Sequence, residues 1–482
     1  MKCAKGLSFE DCELLILRQA IDKAEKRKGR KMINDPLIKE IISIVEKFII
    51  DNQLICYGGT AINNILPIKD QFYDKSSELP DYDFFSPDPL QHAKDLADIY
   101  YAAGFNDVEA KAGMHEGTFK VYVNFIPVAD ITYIVPELYK SLKKKALKVD
   151  NILYTPPDYL RMLMYLELSR PSGDPSRWEK VLKRLILLNK NYPLKGKYCN
   201  FVEIQRKFDT SKKFTKFDQK KIFYITRNSF IDQNLVFFGA MANELYLKEL
   251  HMFKPLAFIP DFDVLSENPK KSATILKEHL EKVGLENVTI NERKGVGEVI
   301  APHYEVKIGN ETIAFIYKPI GCHSYNVINY NGTKVRIATI DTMLSFYLAF
   351  TYVDRPYYDV NRLLCMAQFL FTVQQKNRLE QKGVLRRFSI NCFGKQKTLE
   401  EIRKEKHEKY KKLEGKKGTK EWDKYFLRYI PGFYKKKNNK KKKKENKKEN
   451  KKENKGGIAA KTRKKSYRKK KRRKTYKKNN KK

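Results

Sequence analysis

Apolar and polar positions along the chain recur with two different periods, and the switches between them mark the elements. Leu14, Leu15, Leu17 and Ala20 stand at helical spacing behind Ser8 and Asp11, a pair resembling a capping box. Asp35-Pro36 marks a second helix start with proline at the first helical position, and Ile38, Ile41, Ile42, Val45, Phe48 and Ile49 form one apolar face. The run from Gln53 to Tyr57 is apolar enough for a short buried strand, which Gly58-Gly59 turns into a helix beginning near Thr60. Pro80-Asp81-Tyr82-Asp83-Phe84-Phe85 reads as extended, and Ser86-Pro87-Asp88-Pro89 starts a helix that runs to about Ala103. Strands are expected near 105–110, 118–125 and 128–134, followed by helices from Pro156 to Arg170 and from about Asp174 to Asn189. This alternation predicts an α/β (α+β) fold, a mixed sheet with helices packed on it.

The pattern then runs a second time. Asp51-Asn52-Gln53-Leu54-Ile55-Cys56-Tyr57-Gly58-Gly59 parallels Asp232-Gln233-Asn234-Leu235-Val236-Phe237-Phe238-Gly239-Ala240, and Leu79-Pro80-Asp81-Tyr82-Asp83 parallels Ile259-Pro260-Asp261-Phe262-Asp263. Where the first copy has Ala129-Asp130-Ile131, the second has Ala314-Phe315-Ile316. The chain therefore divides into a helical segment at 1–52, one unit at 53–194 and a duplicated, degenerate unit at 195–375, closed by helices from Thr342 to Val353 and Asn361 to Val373. A basic helical extension at 376–433 follows, with Thr398 to Leu413 at helical spacing and Trp422, Tyr425, Phe426, Tyr429 and Phe433 as docking anchors.

Charge changes the picture at the C-terminal end. The formal net charge is +41, and residues 435–482 hold 28 Lys+Arg against 3 Glu, so the remainder is basic as well. A segment of that composition has too little apolar surface to fold, which predicts a disordered tail over 434–482 and a polyanionic partner for tail and body. The seven cysteines form no C-x-x-C pair and no regular framework. A reducing compartment without structural disulfides is expected. With no opening signal peptide, and a longest apolar run, Met343 to Val353, well short of a membrane span, a soluble intracellular protein that does not enter a membrane is expected.

The candidate chemistry lies in the first copy. Two glycines before a helix let backbone N–H groups approach an anion such as a phosphate. Asp81 and Asp83, two apart in a strand, point to one face, and Asp130 lies in an otherwise apolar strand where an unpaired carboxylate is costly. Three acids with oxygen donors suit a hard divalent cation such as Mg²⁺. Gly58 and Gly59 are candidates to hold the phosphates. Thr60, Asn63, Arg161 and Lys180 are candidates for further nucleotide contacts. In the second copy, exchange of the third acid for Phe315 removes charge and a ligand and adds bulk, so Asp261 and Asp263 read as vestigial.

The glycine turn, the D-x-D strand and the later strand aspartate together resemble the nucleotidyltransferase (polymerase β-like) superfamily. The resemblance is nearest to the poly(A) polymerase catalytic subunits of large DNA viruses, of the poxvirus-like and mimivirus-like group, from about residue 30 to 375. It implies template-independent addition of AMP from ATP to an RNA 3′ end, on viral mRNA, in infected-cell cytoplasm or the virion. Asp81, Asp83 and Asp130 would be both the catalytic and the metal-holding residues, with Mg²⁺ or Mn²⁺. It also implies a homodimer or a processivity partner. Another RNA nucleotidyltransferase, CCA-adding or oligoadenylate-forming, and a non-catalytic RNA-binding scaffold remain the alternatives.

Overall fold

The computed structural model describes residues 6–199, 216–249, 259–377 and 380–432; the expected disordered tail lies outside them. Helices α1 (Phe9–Ile33) and α2 (Pro36–Asp51) begin where their caps direct, with Ser8 accepting from the Asp11 N–H and Asp35 from the Leu37 N–H. Then follow β1 (Ile55–Tyr57), α3 (Gly58–Ile65), β2 (Tyr82–Ser86), α4 (Pro89–Ala102), β3 (Val108–Ala112), β4 (Thr118–Val123) and β5 (Ile126–Tyr133). Next come α5 (Pro136–Lys145), β6 (Leu147–Val149), β7 (Ile152–Tyr154), α6 (Pro157–Leu168) and α7 (Trp178–Asn191). The second half holds α8 (Lys216–Asp232), β8 (Val236–Phe237), α9 (Ala240–Lys248), β9 (Phe262–Leu265), α10 (Pro269–Lys282), β10 (Val288–Arg293), β11 (His303–Ile308), β12 (Glu311–Tyr317), β13 (His323–Tyr330) and β14 (Thr333–Ala338). It closes with α11 (Ile340–Phe350) and α12 (Val360–Lys376). The extension contributes β15 (Cys392–Phe393), α13 (Leu399–Leu413), α14 (Lys420–Phe426) and β16 (Arg428–Tyr429).

The strands form two eight-stranded mixed sheets, ordered β16-β3-β4-β5-β2-β1-β7-β6 and β10-β11-β12-β9-β8-β14-β13-β15. Stripped of β16 and β15, the two orders are the same list seven positions on in the chain. Register agrees as well as order. Asp83 pairs with Asp130 and Asp263 with Phe315 in the parallel β2/β5 and β9/β12 ladders. The β4/β5 ladder shifts register after Val121, and β11/β12 after Val306, each the partner of the matching alanine, Ala129 or Ala314. The duplication is therefore complete down to an irregularity, and the fold is two tandem copies of one mixed α/β unit with packed helices.

In the first sheet α2 and α4 cover one face, where Phe84, Ala97, Tyr100, Val121 and Ile131 are fully buried; each large apolar side chain so placed contributes roughly 1.5–3 kcal/mol. The units meet through equivalent helices, α6 against α11, with Tyr159 edge-on to Tyr352 at 5.0 Å between ring centres. The extension spans both: β15 adds to the edge of the second sheet and β16 to the edge of the first.

Two expectations are corrected. The helix after β1 starts at Gly58 rather than near Thr60. Structural disulfides are present, Cys199 with Cys365 and Cys322 with Cys392, at Cα separations of 5.3 and 5.4 Å. Partners 166 and 70 residues apart leave no local spacing to read. Cys56 is free and buried.

Candidate active site

The site forms where β1, β2 and β5 lie side by side. Tyr57, Asp83 and Asp130 are register neighbours across the three strands, so their side chains share one face. Asp81 stands at the exposed mouth, one residue ahead of β2. Thr60 Oγ1 donates to the Asp81 carbonyl at 2.7 Å, which ties the D-x-D strand to the first turn of α3. Tyr57 stacks on Phe85, ring centres 4.0 Å apart, and its hydroxyl bonds Thr132 Oγ1 at 2.9 Å.

Gly58 has φ +75°, and a Cβ on it would sit 2.5 Å from Asp83 Oδ2. Glycine is required there twice over, for the left-handed backbone and for the space the carboxylate occupies. Gly59 is crowded from the other side, since its Cβ would lie 2.6 Å from the Tyr73 hydroxyl and 3.0 Å from Arg184 Nη1. The N-terminus of α3, which has no side-chain cap, thus faces the acids on one flank and a guanidinium on the other.

Like charges in a partly dry cleft raise one another. Burial, then the charges of Asp81 and Asp130, push the Asp83 carboxyl up to about 7. Asp81 is raised by burial and by Asp130, against the pull of Lys120 and Lys180. Tyr57 is raised by burial and by Asp83. Such a cluster favours a positive charge, and oxygen donors of this kind fit a hard divalent cation. Among the described residues no three acidic, histidine or cysteine side chains already converge on one ion position. The reason is visible: Asp130 is turned to the Lys120 ammonium, with which it makes an ion pair. Burial lowers Lys120, but that carboxylate outweighs it and holds the ammonium protonated.

The remaining sequence candidates separate. Lys180 is exposed and acts on Asp81 by charge, so it faces the site. Asn63 is buried, its Oδ1 accepting from the Phe72 and Tyr73 N–H groups at 2.8 Å each, and it holds the loop that carries Tyr73. Thr60 is likewise engaged with backbone. Arg161 is fully buried, with its guanidinium on Asp158, Asn189 Oδ1 and the Tyr192 carbonyl. These three support the site from within; the geometry does not bring their polar groups to a nucleotide. Lys120 and Arg184 were not singled out from sequence. Arg184 Nη2 donates to the Tyr73 hydroxyl at 2.6 Å, and the guanidinium lies 5.0 Å from the Phe72 ring centre. It lies within the helix expected from about Asp174 to Asn189, but sequence gives no sign of its approach to Gly59.

In the second unit Gly239 crowds Asp263 as Gly58 crowds Asp83, its Cβ falling 2.3 Å from Asp263 Oδ2. Phe315 stands in register where Asp130 stands, and Tyr347, Phe350, Tyr357 and Tyr358 line the small cavity beside it.

Residues 43–174 match the family model described as poly(A) polymerase catalytic subunit. A poly(A) polymerase catalytic subunit of Acanthamoeba polyphaga mimivirus is 36% identical over 191 residues, 37% of this chain and 30% of that protein. One from African swine fever virus (strain Badajoz 1971 Vero-adapted) is 34% identical over 177 residues, 36% of each. The chain thus matches about a third of the length of these curated relatives. The crystal structure of the Megavirus polyadenylate synthase superposes with a TM-score of 0.73 over 90% of this chain and 88% of that one, at 21% identity, which establishes the shared fold. The segment that carries Gly58, Gly59, Asp81, Asp83 and Asp130 is similar to the corresponding segment of the poly(A) polymerase catalytic subunits of mimivirus and African swine fever virus.

Proposed function

We propose that the chain is a template-independent poly(A) polymerase, transferring AMP from ATP to the 3′ end of RNA. The observation that carries this is the placing of Asp83 and Asp130 side by side on parallel strands, with Asp81 at the mouth and the α3 N-terminus against them. The names of the relatives support the choice of ATP and RNA.

Asp81 and Asp83 would hold Mg²⁺ or Mn²⁺, and Asp130 would join them when Lys120 gives way. Divalent ions in such a site activate the attacking hydroxyl and neutralise charge on the departing pyrophosphate. The backbone N–H groups at Gly58 and Gly59 receive the triphosphate at the positive end of α3. Lys180 and Arg184 add side-chain charge on that flank, and Arg184 is pre-oriented by Tyr73. The 3′-hydroxyl of the RNA approaches from the Asp130 side, attacks the α-phosphate, and pyrophosphate leaves. The second unit supplies no third acid and serves as a structural wall. Viral mRNA in infected-cell cytoplasm or the virion, and assembly with a second copy or a processivity partner, belong to the same reading. No helix of the described residues is long and apolar enough to cross a membrane.

The test is extension of a short labelled RNA with each of the four NTPs in Mg²⁺ or Mn²⁺, with Asp81→Ala, Asp83→Ala and Asp130→Ala alongside. Long ladders with ATP alone, lost in every variant, are expected. Mixed-nucleotide or short products would reassign the chain among RNA nucleotidyltransferases. Absence of extension with RNA binding retained would make it a scaffold.

A further inference from the structure

Among the described residues, α4 packs on one face of β3–β4–β5 and leaves the other face more open. Val108, Ala110, Phe119, Val121, Val123 and Ile131 are buried under α4, whereas Lys111, Lys120, Tyr122 and Asp130 on the other side are half-exposed. Register sets four strands of that open face in one row leading to the acids. Arg428 of β16 pairs with Lys111, Lys111 with Lys120, Lys120 with Asp130, and Asp130 with Asp83. Paired residues project to the same side. The edge strand from the C-terminal extension therefore lengthens a line of three cations that ends at the third catalytic carboxylate. Lys111 Nζ lies 4.0 Å from the ring centre of Tyr122, which offers an aromatic face beside the line. Glu109 lies on its outer part, 2.8 Å from Arg428 and 3.9 Å from Lys111, one anion against these two cations.

The duplicated unit is an internal control. At the matching positions its row reads Asn291, Glu305, Phe315 and Asp263. Glu305 is buried there and paired to Arg293. At the matching register positions the second unit has no cation, Arg293 reaching Glu305 from two residues further along β10, so the cations of the row accompany the complete acid triad.

We propose that this row is the seat of the last nucleotides of a single-stranded RNA primer, an assignment that rests on the function proposed above. Phosphates lie on Arg428 and Lys111, a base stacks on Tyr122, and the 3′-hydroxyl is delivered to Asp130. The opposite flank, with the α3 N-terminus, Lys180 and Arg184, is left for the triphosphate, so the two polyanions enter from opposite sides. From β5 to β16 is three strand spacings, about 14 Å at ~4.8 Å each, the length of about two or three nucleotides. In sequence, the segment with 28 Lys+Arg at 435–482 follows β16 by a few residues. Lys120 holds Asp130 in the resting protein and turns to the primer's terminal phosphate when Asp130 is engaged.

The test uses the full chain and RNAs carrying 4-thiouridine at the first, second or third position from the 3′ end, photocrosslinked and mapped by peptide mass spectrometry. Crosslinks are expected to move from 118–133 at the terminal position outward to 108–112 and 428–429 at the third. Lys111→Gln/Arg428→Gln should raise the primer KM roughly ten-fold, leave the KM for ATP unchanged, and lower the salt slope of RNA binding by about 1.4 for two lost phosphate contacts. Crosslinks confined to the second unit or to 435–482, or a primer KM and salt slope unchanged in a folded double variant, overturn the track. If that variant does not fold, the wild-type crosslink order decides. Ordered crosslinks without nucleotide transfer keep the track and remove the polymerase reading, so the two fail separately.

Discussion

Replacing Gly58 by alanine tests the link between backbone geometry and catalysis most directly. The residue has φ +75°, where a Cβ costs about 1 kcal/mol. That Cβ would also lie 2.5 Å from Asp83 Oδ2 and 3.3 Å from its Cγ, closer than ordinary contact. Asp83 is held between β1 and β5, so its carboxylate relieves the overlap by leaving its rotamer, at about 0.5–1.5 kcal/mol. The sum, about 2 kcal/mol, lowers the melting temperature by a few degrees in a chain of this size. If Asp83 holds metal as proposed, the catalytic effect is larger, because displacing that carboxylate by about 1 Å removes roughly 100-fold in rate. Gly239→Ala is the matched control. Its φ is −80°, outside the left-handed region, and its Cβ would lie 2.3 Å from Asp263 Oδ2 and 2.8 Å from Asp263 Cβ. It should destabilise by a similar amount and leave kcat within about two-fold. Differential scanning fluorimetry and primer extension at saturating ATP, run on both variants, give the four numbers needed. Wild-type kcat in Gly58→Ala would sever Asp83 placement from the chemistry. A loss of kcat in folded Gly239→Ala matching that of Gly58→Ala would show that the second unit is not a passive wall.

Two further predictions concern charge. Asp83, raised from 3.8 to about 7 by burial and its two acidic neighbours, keeps in the folded state a proton that the unfolded state gives up. Metal-free stability therefore falls as pH rises from about 4 to 7, by at most about 4 kcal/mol at 1.36 kcal/mol per unit. In urea melts with EDTA, Asp83→Asn should gain on the wild type at pH 8 and not at pH 4, and a difference independent of pH would refute the crowding. Arg184→Gln should raise the KM for ATP roughly ten-fold and spare the primer KM, with Tyr73→Phe, which loses the orienting hydroxyl at 2.6 Å, showing part of the effect; an unchanged KM for ATP would remove Arg184 from the triphosphate flank.

What could be read before any coordinates were those features whose cause is local. Asp35-Pro36 and Ser86-Pro87-Asp88-Pro89 set helix starts through their own side chains, and α2 and α4 begin there. Thr398 likewise opens α13 with a capping box to Glu401. The duplication was legible because the same local solution was written twice, and the register of Phe315 beside Asp263 agrees with the alignment residue for residue. Elements without a local cause were not legible. The two-residue strand β16 exists only because β3, more than 300 positions earlier in the chain, offers an open edge. The three-residue strands β6 and β7 are too short to show a period. Arg161 looked like a cation for the nucleotide because periodicity gives a helix face and not what lies against it.

The same limit explains the site. Asp130 was conspicuous as an acid in an apolar strand, but Lys120 sat in a strand of alternating polarity, where a lysine ordinarily marks a solvated face. Only the pairing of Lys120 with Asp130 and of Lys111 with Arg428 turns dispersed lysines into a line. Comparing the two units then separates fold from function. The bulge after Val121 recurs after Val306, and the glycine-to-aspartate contact recurs at Gly239, so both belong to the architecture. The third acid and the neighbouring cation do not recur: Phe315 and Glu305 stand in their place. A sheet that keeps its irregularities while exchanging an acid and the lysine beside it shows that neither is needed to build the fold. On the proposed function, Asp130 and Lys120 are kept in the first unit for the chemistry of the site and not for the sheet.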